Sequence, residues 1–259
     1  MLDLHGWRQA GSRLSVGPRP AGTTTLAELA QQDVHAALVP VVRRVDPELD
    51  PRAGSLMLVH YALHAVANIV VAPVVLDRVA VDLTSDRVGV LVGDDGALDG
   101  YWVDQPTVVQ DDRDPAERAG ALAVGLVDPV AETAREIGCI PRRGLQNVVL
   151  DSLHSSCEWF GRSLPGEEGD AVASRFLAGT GHGAHRPGRR LLVRPDAGPP
   201  VALRVPRTCC VLARTAPCHA CPTCPQHESD ERRVQFALDW LRGLDATDFR
   251  SVAGRPRLP

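Results

Sequence analysis

The chain has 259 residues, of which 44% are apolar and only 4% aromatic. That is enough to build a buried core from Leu, Val and Ala, and it excludes a disordered tail or a disulfide miniprotein. The 28 basic residues are all arginine, set against 32 acidic ones for a net charge of −4, which argues against a generic nucleic-acid binder and removes lysine-dependent catalysis and the P-loop.

The first 20 residues contain Trp7 and several arginines but no apolar run, so they do not read as a secretory signal peptide. Thr25 followed by Glu28 predicts a capping box. Leu26, Ala30, Val34, Leu38, Val41 and Val45 then recur at helical spacing, with Pro40 set to kink or end the helix. Residues 56–76 form the longest apolar stretch. It reaches membrane-spanning length, but His60, His64, Asn68 and Pro73 interrupt it. Polar groups at a bilayer centre are costly, so a buried central helix is expected instead.

The period then changes to two. Val79, Val81 and Leu83 alternate, as do Val88, Val90 and Val92, with a turn expected at residues 84–87. A second turn at 93–96 and a strand at Tyr101-Trp102-Val103 would complete an antiparallel meander. Asp114-Pro115 reads as a helix N-cap followed by Pro, and Asp128-Pro129 repeats it, predicting two helices or one kinked helix ending on Gly138. Further helices are expected over 145–164 and 171–177. The first presents Val149, Leu153, Cys157, Phe160 and Leu164 on one face. Strands are expected at 191–194 and 201–205, and a last helix capped by Ser229 or Asp230. The fold class expected is α+β: a helix-rich body with a small antiparallel sheet and a C-terminal cysteine-rich segment. The organisation expected is an N-terminal extension over 1–22, a body over 23–205, the cysteine segment over 206–228, and a helix and tail over 229–259.

Five of the seven cysteines fall between residues 209 and 224: Cys209, Cys210, Cys218, Cys221 and Cys224. No hydrophobic periodicity runs through this stretch, so core burial does not explain them. Clustered thiolates in a reducing cytoplasm point to metal or redox chemistry rather than structural disulfides. Pro217, Pro222 and Pro225 stiffen the loop, which lowers the entropy lost when ligands are ordered. Three ligand sets are open. One is a four-cysteine zinc site. Another is Cys218, Cys221 and Cys224 with Cys209 or Cys210 on a [4Fe-4S] cluster. The third takes Cys209, Cys210, Cys221 and Cys224 as a C-C-x10-C-x2-C unit.

That third pattern resembles the FhuF-type ferric siderophore reductases. The Arg207-Thr208 lead-in is similar to the family's, and so, more distantly, is Leu145-Gln146-Asn147 opening a long helix. The resemblance implies a [2Fe-2S] cluster on Cys209, Cys210, Cys221 and Cys224. It implies one-electron reduction of a ferric siderophore, with release of Fe(II). The substrate expected is a ferric siderophore of hydroxamate type, and the donor a ferredoxin or flavin-dependent reductase. No nucleic acid and no stable membrane insertion are expected, and no catalytic residue beyond the cluster. Cys218 is an extra thiol within the spacer, and a further helix and tail follow the motif. The competing class is a non-catalytic zinc or [4Fe-4S] interaction protein, or a siderophore-biosynthesis accessory protein.

Other residues read more plainly. Arg207, Arg214 and His219 flank the ligands as solvated loop residues. His60 and His64 are four apart on a helix and could ligate a metal, but no carboxylate or third ligand accompanies them locally, so they read as core or pocket-edge histidines. His182 and His185 sit in a Gly-rich loop. Cys139 and Cys157 read as small packed residues. Asp94-Asp95 and Glu167-Glu168 read as solvated turns, and Ser155-Ser156 lacks the context of a hydrolase nucleophile.

Overall fold

From residue 53 to residue 76 the chain carries no Asp, Glu or Arg. A helix there has no charged face for water and must be covered on all sides. In the computed structural model, which describes residues 14–45, 50–109, 112–161, 168–182, 188–194, 201–205 and 229–243, this stretch is the centre of the fold. Helix α3 (Pro51–Val66) starts on Asp50, whose carboxylate accepts the Arg52 amide. It passes into a π-helical turn (Ala67–Val71) and then into α4 (Ala72–Leu76). Pro73 has no N–H for the Ile69 carbonyl and its ring crowds the preceding turn, which the wider π-turn accommodates. The span Pro51–Leu76 is long and apolar enough to cross a bilayer, but 89% of its most apolar window is buried inside the fold. It is packed by the helices Gln32–Val42, Pro115–Gly138 and Arg142–Gly161 and by the main sheet.

Ahead of it lie α1 (Leu26–Leu29), α2 (Gln32–Val42) and a 3-10 turn (Arg43–Val45). The capping box forms: Glu28 N–H donates to Thr25 Oγ1 at 3.1 Å, and Thr25 N–H donates to Glu28 Oε2 at 2.8 Å. The single helix expected over 26–45 is nevertheless broken at residues 30–31. Side chains take carbonyls at the break: Thr133 Oγ1 donates to Ala30 O at 2.6 Å, and His35 Nδ1 to Leu29 O at 3.1 Å. The break turns the buried face from Val34, Leu38 and Val41 to His35, Val39 and Val42. Pro40 lies on the exposed side, and the helix continues two residues beyond it.

The main sheet has strands β1 (Leu14–Val16), β2 (Thr23–Thr25), β4 (Val88–Val92) and β5 (Leu98–Val103), in the order β1-β5-β4-β2. The β4–β5 hairpin turns at residues 93–96, as expected. The meander does not form. Strand β3 (Ala80–Asp82) leaves β4 and pairs antiparallel with β6 (Thr107–Val109) in a separate two-stranded sheet. The hairpin's neighbours are β2 and β1, and β1 runs parallel to β5, so the main sheet is mixed rather than antiparallel. Alternation tells which face a residue takes, not which strand it pairs with. Residues 14–16, inside the expected N-terminal extension, are thus a strand of the body. Trp102 Nε1 donates to Gly17 O at 2.7 Å and fastens them. Tyr61 of α3 donates to Gly96 O at 2.8 Å, tying the central helix to the hairpin turn.

Asp114 caps a single 24-residue helix, α5 (Pro115–Gly138), by accepting the Ala116 and Glu117 amides. Asp128-Pro129 starts no second helix. The carbonyl that Pro129 leaves without its helical donor belongs to Gly125, and both residues are exposed, so water can serve it. The left-handed residue ending α5 is Cys139 (φ 49°), one place beyond the glycine expected to cap it. Asp114→Ala is expected to cost about 1 kcal/mol, read as a lower urea midpoint at unchanged m-value.

Helices α6 (Arg142–Gly161) and α7 (Glu168–Gly179) follow, then the antiparallel pair β7 (Arg189–Val193) and β8 (Val201–Val205), and α8 (Asp230–Gly243). Ser229 Oγ accepts the Arg232 amide and caps α8. The class is α+β and helix-rich, with small mixed and antiparallel sheets.

Candidate metal and polar sites

Cys209, Cys210, Cys218, Cys221 and Cys224 lie outside the described residues, as do Arg207, Arg214, His219, His185 and Glu167. The flanks of the cysteine segment are described. The last residue of β8, Val205, is the register partner of Arg189 in β7. The guanidinium of the same Arg189 forms a two-pronged pair with the Asp230 carboxylate at the start of α8. Residues 205 and 230 therefore meet on one arginine. Arg233, which is buried, donates to Asp230 at 2.7 Å and completes the collar. The Arg189 guanidinium, with Arg233 adding to it, holds the Asp230 carboxyl below the usual carboxylate range. Next along β7, Arg190 reaches Glu158 of α6 at 2.8 Å.

Glu158 belongs to a stripe that the sequence reading missed. Asp151, His154 and Glu158 are all buried on α6, at helical spacing beside the apolar face of Val149, Leu153 and Cys157. A signal was present: Asp, His and Glu at i, i+3 and i+7, next to the apolar face of the helix. Cys157 is fully buried, and burial pushes its thiol well above the ordinary range, so it is an inert core residue as expected. Cys139 is exposed rather than packed, because it occupies the left-handed end of α5.

Gln146 and His182 are joined across α6 and the residues after α7, at 2.8 Å from Gln146 Nε2 to His182 Nδ1. Asp128 lies close enough to feel His182. Partial burial raises its pKa, while His182 and Arg142 oppose the rise. Asp95 accepts the Ala97 amide at 2.9 Å, so Asp94-Asp95 is the expected turn.

His60 and His64 share one face of α3, and Asn68 follows in the π-turn. Burial, with the neighbouring His64, pushes the His60 pKa from 6.5 down to about 4. His64 is exposed, and desolvation by the protein around it lowers its pKa too. Asn68 is 2% exposed and donates from Nδ2 to His64 O at 2.8 Å. His60 Nε2 and Asn68 Oδ1 are buried without a hydrogen-bond partner. His35 is fully buried, and desolvation lowers its pKa.

These histidines set an acid limit on stability. Below pH 6.5 the unfolded chain protonates His60, whereas the folded chain does so only near pH 4. The unfolded state then binds more protons, so stability falls with pH across that window, by about 3 kcal/mol for a shift of this size. His35 adds to the loss in the same direction. Urea midpoints measured between pH 7 and 4 should fall steadily, and His60→Gln should flatten part of that slope.

Among the described residues, no group of three or more His, Cys, Asp and Glu side chains comes together to hold a metal ion. No family model matches the chain, and no curated protein matches it.

Proposed function

We propose that the protein is a ferric siderophore reductase that carries a [2Fe-2S] cluster on Cys209, Cys210, Cys221 and Cys224. The observation that carries this reading is the C-C-x10-C-x2-C spacing with its Arg207-Thr208 lead-in. The collar at Arg189 supports it. Holding residues 205 and 230 together lowers the entropy lost in gathering four thiolates from the chain between them. A cluster bound there would supply single electrons at a potential set by its charge, hydrogen bonding and exposure.

The substrate chemistry fits one electron. Siderophores hold Fe(III) through hard anionic oxygens, and Fe(II), with lower charge density, binds those oxygens far more weakly. Reduction therefore turns a trapped ion into a releasable one. The donor is a second protein, a ferredoxin or flavin-dependent reductase. The Gly-rich run from Gly179 follows helix α7, whereas a dinucleotide loop follows a strand. The thiolates call for a reducing compartment, the cytoplasm.

Cys218 favours a second reading, a [4Fe-4S] or zinc site in a non-catalytic interaction or siderophore-biosynthesis accessory protein. Metal analysis separates them. Anaerobically purified protein should be coloured, with about two irons and two acid-labile sulfides per chain. Colourless protein holding zinc would overturn the proposal, and about four irons would move it to the Cys218 set. Dithionite-reduced protein mixed with a ferric hydroxamate should reoxidise as Fe(II) appears on a ferrous chelator. No reoxidation across several siderophores would favour the accessory reading.

A further inference from the structure

The His60–His64 face of α3 holds chemistry that the reductase reading does not use. We propose that His60 and His64 form a receiving site for one divalent first-row metal ion, with Asn68 accepting a hydrogen bond from water on that ion. The two histidines lie within one uninterrupted α-helix, four residues apart, so their rings share a face at neighbouring levels. Such a pair on one helix face is a recurrent metal-ligand arrangement. Asn68 lies one turn further on and sends its amide back toward His64, whose carbonyl takes Nδ2. Its Oδ1 is buried without a hydrogen-bond partner, and so is His60 Nε2. Buried polar atoms left without partners call for an occupant.

The donor set decides what that occupant is. From residue 53 to residue 76 the chain has no Asp, Glu or Arg, so this stretch brings no carboxylate or guanidinium to the pair. Burial disfavours the protonated form of both imidazoles. Neutral imidazole nitrogens and an amide oxygen offer lone pairs, which suit a cation and do little for an anion. Imidazole favours divalent Fe, Co, Ni, Cu and Zn over the hard ions that prefer an all-oxygen shell. Two protein ligands leave the remaining positions to water or to the ion's previous chelator, so the pair receives an ion and does not store it. The π-turn that sets Asn68 in place is a feature often found at functional sites. Identifying the ion as the Fe(II) released on reduction rests on the reductase reading; the ligand pair does not.

The test uses the full chain under anaerobic conditions, titrated with Co(II), and reads the histidine ring protons by NMR, so that metal held by cysteines does not count. The His60 and His64 signals should shift or broaden together, saturating at one ion, before those of His154 and His182. His64→Gln, a change on the solvent side that leaves the core intact, should weaken binding about tenfold or more, and Asn68→Leu several-fold. Unchanged His60 and His64 signals at saturating Co(II), or His64→Gln binding as tightly as the parent, would overturn the site. A chain that binds Co(II) here but never yields Fe(II) from a siderophore would keep the site and lose the reductase reading. A coloured, active chain with silent histidines would do the reverse.

Discussion

Gly120→Ala and Gly179→Ala are each expected to destabilise the protein by about 3 kcal/mol or more, at the upper end of overpacking effects. Helices α5 and α7 cross at these two positions. A Cβ on Gly120 would lie 1.9 Å from the Phe176 carbonyl oxygen, and one on Gly179 would lie 1.8 Å from that of Glu117. Each contact is with helix backbone, which cannot swing aside as a side chain does, so the helices must separate. Separation opens the core around Phe176, which is fully buried. Gly125→Ala is the control. It lies on the exposed side of the same helix with nothing within 4 Å, so it should be neutral or stabilise by up to about 1 kcal/mol. Urea midpoints for the three variants decide the matter. If Gly120→Ala melts like Gly125→Ala, the close crossing of α5 and α7 is wrong.

Cys221→Ser and Cys224→Ser are each expected to remove the bound iron and the colour entirely, while Cys218→Ser keeps both. The reason is bond strength: a serine hydroxyl stays protonated at neutral pH and is a hard donor, so it does not replace a thiolate on an iron–sulfur site. Iron, sulfide and visible absorbance measured on anaerobically purified variants give the answer. Bleaching by Cys218→Ser together with an intact Cys210→Ser chain would transfer the ligand set to Cys218, Cys221 and Cys224. Circular dichroism should be nearly unchanged for all of these variants, since the core lies in the helical body.

Much of the helical framework is legible in the residues. Asp114-Pro115 marks the start of α5 because a carboxylate can serve the orphan amides and Pro lacks one there. The uncharged run from 53 to 76 announces a central helix, since only full coverage makes it stable. The strand pairing is much less legible. Val79, Val81 and Leu83 alternate just as Val88, Val90 and Val92 do, yet β3 and β4 belong to different sheets. The short strands β1 and β2 carry little pattern of their own and exist because β5 and β4 offer them edges. The break between α1 and α2 is tertiary too: Thr133, 103 residues away, supplies the hydroxyl that donates to the Ala30 carbonyl.

The proposed sites divide along the same line. The cysteine spacing is local covalent information, so residue order alone names four thiolates and the odd Cys218. The pairing of His60 with His64 is equally local, because helical period sets it. What the sequence could not decide is which side of a helix faces the core, what closes a loop, and which polar atoms lose their water. Those depend on distant partners: Asp230 meeting Arg189, Glu158 meeting Arg190, and Asn68 entering a π-turn with one oxygen unpaired. Local order determined the helices and the ligand spacing because short-range sterics and periodicity act within a few residues. Strand partners, the α5–α7 crossing and the burial of unpartnered polar atoms along α3 were decided only by tertiary structure, because they depend on contacts between segments far apart in the chain.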